Sequence, residues 1–163
     1  MMRGHMRFSF IQTPIGQLLA AKDGDGALTQ LHFAGAEAPD EWVRDDSAFG
    51  DVIAQLRAYF DGDLREFDLP LAPSGTPFQQ RVWRTLLTIP YGETRSYANI
   101  ADAIGKPSAC RAVGAANGAN PIPIVIPCHR VIGSSGALTG FGGGIDVKRR
   151  LLALEGADAM PLF

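Results

Sequence analysis

Apolar and polar positions alternate in short runs through the first third of the chain. These runs predict strands around Phe8 and Phe10, over Gln17–Ala21 and over Ala27–Phe33, where Leu28, Gln30 and His32 would share one face. The acidic, glycine-containing cluster at 22–26 separates the last two runs. It predicts a hairpin between them.

A helical period replaces the alternation at Ser47 and ends at residues 61–62, an Asp-Gly pair. Apolar positions at Phe67, Leu69 and Leu71 predict one further strand. The following LAPSGTP segment has the composition of a linker. The predicted domains are residues 1–72 and 73–163.

The second half is predicted to be mainly helical. Thr76, Ser96 and Ser108 are the predicted N-caps of three successive helices, the last of which runs to about Gly118. A fourth helix ends at Gly156. The second and third helices are short and joined by a glycine-containing turn, which is typical of a helix-turn-helix.

The third predicted helix, 108–118, has an unusually bare surface. Arg111 is its one cation, and small residues dominate the rest: Ala112, Gly114, Ala115, Ala116 and Gly118. Such a surface suits either close packing against another helix or entry into a narrow minor groove. The residues alone leave both interpretations open.

Net charge is distributed unevenly between the halves. Residues 1–72 contain 6 Lys/Arg and 12 Asp/Glu, whereas residues 73–163 contain 9 and 5. The basic half suits an anionic partner such as nucleic acid, or is an ordinary solvated surface. The chain has two cysteines and no apolar run of about 18 residues, and its first ten residues have no apolar region or small-residue cleavage site. We therefore expect no secretory signal and a cytoplasmic protein with reduced thiols.

The segment NPIPIVIPCHRVI, residues 120–132, contains the strongest chemical signal. Its three prolines exclude a helix and stiffen the chain before Cys128. His129 and Arg130 follow directly, and both favour a thiolate. Glu155 is the candidate carboxylate for orienting the histidine, although it also suits a solvated helix end. We interpret Cys110 as structural, since no base lies near it.

A metal site is a poorer interpretation of the same residues. Cys128 and His129 are consecutive, and no second Cys/His pair completes a tetrahedral set. We therefore expect a nucleophilic cysteine and no metal or other cofactor.

The pentapeptide PCHRV at 127–131 resembles the active-site signature of the 6-O-methylguanine-DNA methyltransferases. Three longer blocks resemble the C-terminal domain of the same family, in order and at its spacing: residues 75–105, 111–121 and 134–156. Residues 1–72 resemble the family only in general pattern. The resemblance implies an RNase H-like α/β N-terminal domain followed by a mainly helical, winged-helix-like C-terminal domain with a helix-turn-helix.

The resemblance also implies residue roles. Cys128 would accept the alkyl group, His129 would activate it through a water, and Glu155 would orient the histidine. Asn120 would tie the active-site turn, and Tyr97 would assist flipping and protonate the leaving guanine. The implied DNA contacts are Arg111, which fills the gap left by the flipped nucleotide, Ala112, Gly114, Ala115, Gly118 and Arg130. The implied guanine pocket comprises Tyr97, Val131 and Phe141.

The implied function is direct-reversal DNA repair. The protein would act once, as a monomer on double-stranded DNA, moving an alkyl group from the 6-oxygen of guanine, or the 4-oxygen of thymine, to its own cysteine. Phe141 departs from the pattern, because many members have tyrosine there, which puts the rate or the tolerance for bulky groups in doubt. Two alternatives are a cysteine hydrolase and a non-catalytic alkyltransferase-like lesion binder or regulator.

Overall fold

The computed structural model describes residues 5–133, 141 and 143–157. It divides into two compact units, Met1–Ser74 and Gly75–Phe163. Residues 134–140, in the third block of family resemblance, lie outside the described residues. In the described ranges, no helix has both the length and the apolar composition needed to cross a bilayer.

The first unit contains a four-stranded sheet. Its strands are β1 (Arg7–Thr13), β2 (Gly16–Lys22), β3 (Leu28–His32) and β4 (Val43–Arg44), in the order β3-β2-β1-β4. β1 pairs antiparallel with β2, and β2 pairs antiparallel with β3, which confirms the hairpin predicted at 22–26. β4 pairs parallel to β1. A register shift at 21–22 disturbs the predicted alternation in β3, where Leu28 and Leu31 are buried and His32 is exposed.

One helix packs with this sheet. A 3-10 turn at Asp46–Phe49 leads into α1 (Gly50–Phe60), which buries Val52, Leu56 and Tyr59. Asp61 is its C-cap, and Gly62 follows at φ 81°, a conformation that favours glycine, so the predicted helix end is confirmed. The strand predicted near Leu71 is wrong, because only an isolated bridge to Leu28 forms there.

Among its described residues, the second unit contains four α-helices and a short parallel ribbon. They are α2 (Pro77–Leu86), β5 (Arg95–Ser96), α3 (Tyr97–Ala103), α4 (Cys110–Gly118), β6 (Val131–Ile132) and α5 (Ile145–Leu154), with β5 paired to β6. Thr76 and Ser96 are N-caps with complete capping boxes, as predicted. The predicted Ser108 cap is wrong, since Ala109 is the N-cap and makes no side-chain bond.

The core of the second unit positions α4. Trp83 of α2 is buried, and its indole Nε1 donates a 2.9 Å hydrogen bond to the carbonyl of Ala116. Val113, Ala116 and Asn117 are the buried residues of α4. The opposite face of this helix, with Arg111, is therefore free to meet a partner.

Candidate active site

Asn120 closes the turn that precedes the cysteine. Its Oδ1 accepts a 3.0 Å hydrogen bond from the amide of Ile122, and its Nδ2 donates a 2.8 Å bond to the carbonyl of Ile126. Ile124, inside the turn, has a φ of 74°, which a β-branched residue adopts only under strain. One side chain thus fixes both ends of a strained loop.

Cys128 begins a single 3-10 turn, Cys128–Arg130, directly after this loop. Its thiol is free, and the residue is only 4% exposed. Burial raises the pKa of the Cys128 thiol to about 11, while a hydrogen bond from Asn120 and the positive charge of Lys148 act in the opposite direction. The resting thiol is therefore protonated at neutral pH.

His129 and Glu155 form a buried pair. The distance from His129 Nε2 to Glu155 Oε2 is 2.7 Å, and neither side chain is exposed. Burial lowers the pKa of His129, Glu155 opposes that shift, and Arg130 and Lys148 reinforce it. A neutral ring that donates from Nε2 to a carboxylate leaves Nδ1 as an acceptor. Nδ1 is buried and has no hydrogen-bond partner among the described residues.

Arg130 is part of the same buried network. Its Nε and Nη2 donate to the two carboxylate oxygens of Glu155 at 2.7 and 3.0 Å, and its Nη1 donates to the carbonyl of Ile89 at 2.7 Å. The side chain is 8% exposed. The guanidinium is thus bound to an internal carboxylate, and the predicted contact of Arg130 with DNA stays a prediction.

Lys148 was missed by the sequence reasoning. It lies on α5, its side chain is completely buried, and its Nζ donates a 2.6 Å hydrogen bond to the carbonyl of Val131. Burial lowers the pKa of Lys148 to about 8, and Cys128 opposes the shift. Its helical spacing to Leu151 and Glu155 was the available signal, because it places all three on one face.

Asn117 is a second polar residue that the sequence reasoning missed. It lies on the inner face of α4, and its Nδ2 donates a 3.4 Å hydrogen bond to the carbonyl of Cys128. Its Oδ1 is buried without a partner among the described residues. A side chain of α4 thus contacts the backbone of Cys128 directly.

The bare face of α4 is open rather than packed. Arg111, Ala112, Ala115 and Gly118 are exposed. A methyl group added at Gly114 would meet only the Tyr97 ring at 3.9 Å, an ordinary contact, and one added at Gly118 would meet nothing within 4 Å. Close helix packing therefore does not explain these glycines.

The three predicted pocket residues come from different elements. Tyr97 is the first residue of α3, and Val131 is the buried first residue of β6. Phe141 is half-buried, and its carbonyl accepts a hydrogen bond from Gly144 at 2.9 Å. Among the described residues, no cluster of His, Cys, Asp or Glu is arranged to hold a metal ion.

Family models match both halves of the chain. Residues 77–157 match the DNA-binding domain of 6-O-methylguanine DNA methyltransferase, and residues 6–73 match its ribonuclease-like domain. The chain belongs to the 6-O-methylguanine DNA methyltransferase family. Its architecture, an N-terminal sheet domain followed by a helical DNA-binding domain, is that of this family.

Relatives in this methyltransferase family align over nearly their whole length. The methylated-DNA–protein-cysteine methyltransferase of Mycobacterium tuberculosis is 55% identical over 94% of both chains, and that of Methanosarcina acetivorans is 50% identical over 93% of this chain and 99% of its own. The crystal structure of Mycobacterium tuberculosis OGT in complex with DNA superposes with a TM-score of 0.86, at 56% identity, covering 94% of this chain and 93% of the other.

Proposed function

We propose that this DNA-repair methyltransferase transfers an alkyl group from the 6-oxygen of guanine in double-stranded DNA to the sulfur of Cys128. The observation that supports this most directly is a buried free thiol in sequence next to a buried His129–Glu155 pair, in a chain of this family. The protein would act as a monomer and be consumed by one turnover.

Activation of the thiol would use the unpaired Nδ1 of His129. Glu155 fixes the orientation of the His129 ring, so the acceptor nitrogen Nδ1 points in one direction. We propose that one bound water passes the thiol proton to this nitrogen. Glu155 then stabilises the imidazolium, and Arg130 holds the carboxylate in place from its other side.

The transfer itself is a displacement at carbon. The thiolate sulfur forms a bond to the alkyl carbon, the bond from that carbon to the guanine oxygen breaks, and its electron pair stays on the guanine. Tyr97 would supply the proton that neutralises the leaving base and would recover one from the imidazolium through solvent. Because water does not readily displace the resulting thioether, the cysteine is not regenerated.

DNA would be engaged by the exposed face of α4. A reactive carbon on a paired guanine is inaccessible inside a duplex, so the nucleotide must be flipped out. Gly114, Ala115 and Gly118 leave the helix backbone able to approach a minor groove closely, and the exposed Arg111 would fill the gap in the base stack. Phosphate contacts by this basic half would add affinity without sequence preference.

The decisive experiment is incubation with duplex DNA containing 6-O-methylguanine, followed by intact-mass measurement and peptide mapping. The expected result is one added methyl group on Cys128 and none on Cys110. Cys128→Ser should take up no methyl group while still binding DNA, because a hydroxyl is a far poorer nucleophile at neutral pH. Cys110→Ser is the matched control and should react normally.

The same measurement separates the alternatives. A cysteine hydrolase would release a free product over many turnovers and leave the mass of the protein unchanged at the end. A lesion binder would retain the DNA without any mass change. Either outcome would overturn the proposal.

A further inference from the structure

The side chain of Asn117 joins the backbone of Cys128 to α4. Its Nδ2 donates a 3.4 Å hydrogen bond to the carbonyl of Cys128, and the same carbonyl accepts the backbone amide of Val131, which closes the 3-10 turn. A carbonyl oxygen has two lone pairs, so it can accept both bonds at once. The turn is thus closed by its own backbone and attached to a neighbouring helix by an amide side chain.

Stability does not explain an amide at this position. Asn117 is only 3% exposed and lies on the inner face of α4 with Val113 and Ala116. A side-chain amide can make four hydrogen bonds, but the bond to Cys128 is long, and Oδ1 has no partner among the described residues. Hydrogen bonds therefore offset little of the cost of burying this amide, and an apolar side chain of the same size would cost less.

The opposite face of α4 is the one proposed to meet DNA. Ala115 precedes Asn117 by two residues, or about 200° around the helix, and it is exposed. The helix is fixed to the core of the second unit, because Trp83 Nε1 donates to the carbonyl of Ala116 at 2.9 Å. A helix held in place thus lies between the Cys128 turn and the surface proposed to hold DNA, and Asn117 connects the turn to that helix.

We propose that Asn117 is a positioning residue, whose amide sets the distance of Cys128 from the DNA-facing surface of α4. This role rests on the proposed function, because DNA docked on that surface delivers the alkyl carbon. A small displacement of the sulfur misaligns it with a carbon whose position the docked duplex determines. A hydrogen bond that adds little to the free energy of folding can have this role, because it selects one position of the turn.

Two reactions of Cys128 should change in opposite directions when this bond is lost. Asn117→Leu removes the bond and keeps the side-chain volume nearly the same. Methyl transfer from saturating duplex DNA that contains 6-O-methylguanine should become about tenfold slower, because the sulfur is misaligned. Modification of Cys128 by iodoacetamide at fixed pH, followed by peptide mass spectrometry, should become about two- to tenfold faster, the range expected for loss of one hydrogen bond.

The increase with iodoacetamide follows from the burial of the thiol. Cys128 is only 4% exposed, so the reagent reaches the sulfur when the turn opens. If the turn recloses faster than the reagent attacks, the rate of modification follows the population of the open form. Loss of the bond from Asn117 raises that population. A docked duplex gains nothing from the same opening, because it requires the sulfur at one position.

Val113→Ala is the matched control. Val113 is completely buried on the same face of α4, and its side chain makes no hydrogen bond. The variant should lower the melting temperature, as truncation of a core side chain does, while the ratio of the two rates stays as in wild type. Cys110, at the start of α4, is an internal thiol whose modification should be the same in every variant. Asn117→Ala has the same two expected changes and replaces the leucine variant if leucine prevents folding.

Unchanged rates in both reactions would overturn the positioning role, and so would changes of the same sign, which would mean that the amide controls the reactivity of the thiol rather than its place. If methyl transfer occurs in wild type and is equally fast in Asn117→Leu, the positioning role fails and the proposed function stands. If wild type takes up no methyl group from DNA, the proposed function fails. The iodoacetamide rates, which need no DNA, then decide alone whether Asn117 holds the Cys128 turn against α4.

Discussion

Glu155 lies 2.7 Å from the ring nitrogen of His129, and both side chains are completely buried. The two residues come from different elements: His129 follows Cys128 in the 3-10 turn, and Glu155 is the C-cap of α5. Their contact therefore makes the orientation of the proposed base depend on the position of the last described helix.

Replacing Glu155 should destabilise the protein strongly. Glu155→Gln leaves Arg130 as a buried charge without its partner, and breaking a buried pair in this way costs about 3–5 kcal/mol. The free energy of unfolding is measured by urea titration. The matched control is Arg149→Met, which breaks an exposed ion pair on the same helix and should cost about 0–1 kcal/mol. Similar losses in the two variants would contradict the buried network.

Stability should fall as the pH drops through the range in which free histidine titrates. Because burial lowers the pKa of His129 below its ordinary value of about 6.5, the unfolded chain binds more protons than the folded one at lower pH. The stabilisation is thus fully present above about pH 6.5 and lost below it, by up to roughly 1.4 kcal/mol per pH unit for one proton.

Thermal unfolding between pH 7.5 and 5 checks this dependence. His129→Gln should reduce the fall in melting temperature at the acidic end of this pH range. His32→Gln is the control, because His32 is exposed on β3 of the first unit, and although desolvation also lowers its pKa, it lies outside the buried network of His129. A curve unaffected by His129→Gln would show that the ring is not buried in its neutral form.

Gly114→Ala should separate folding from DNA binding. The added methyl group fits beside the Tyr97 ring, and alanine is favoured over glycine inside a helix by about 1 kcal/mol. The variant should therefore be as stable as wild type or more so. Its affinity for duplex DNA should fall if, as proposed, the face that carries the methyl group approaches the minor groove. Calorimetry and fluorescence anisotropy measure the two effects, and unchanged affinity would exclude a close backbone approach at Gly114.

Arg111→Ala should slow repair of duplex DNA more than transfer from the free alkylated base. Only the duplex requires flipping, and only there does the inserted side chain offset the cost of unstacking. Single-turnover rates on both substrates provide the comparison. Arg84→Ala removes an equal charge from an exposed position on α2 and should affect the two rates alike. If Arg111→Ala lowered the rates on both substrates equally, a role of Arg111 in flipping would be excluded.

Local signals in the sequence predicted most helix ends. Thr76, Ser96 and the Asp61-Gly62 pair are cap signals that act within one turn, so they can be read without knowing the fold. Ser108 failed because Ala109 provides the helix start without a side-chain bond. The strand expected near Leu71 failed because pairing depends on a partner that is distant in sequence.

For the candidate site, the sequence predicted some of the buried residues and missed others. Cys128, His129 and Glu155 were predicted as site residues from chemistry and resemblance, and the structure brings the last two into contact. The burial of Arg130 and of Lys148 was not predicted, because a cation is normally exposed and only the folded structure shows that each has a buried acceptor. Sequence patterns predict which face a residue occupies but do not reveal such long-range partners.

The order in which the chain is synthesised determines when Glu155 can join the site. Cys128 and His129 leave the ribosome well before Glu155, because translation proceeds from the N-terminus and domains fold as their residues emerge. Until α5 arrives, His129 lacks its carboxylate and Arg130 has no internal countercharge. A nascent chain therefore has a cysteine but no assembled base beside it, which would protect the thiol from premature alkylation during translation.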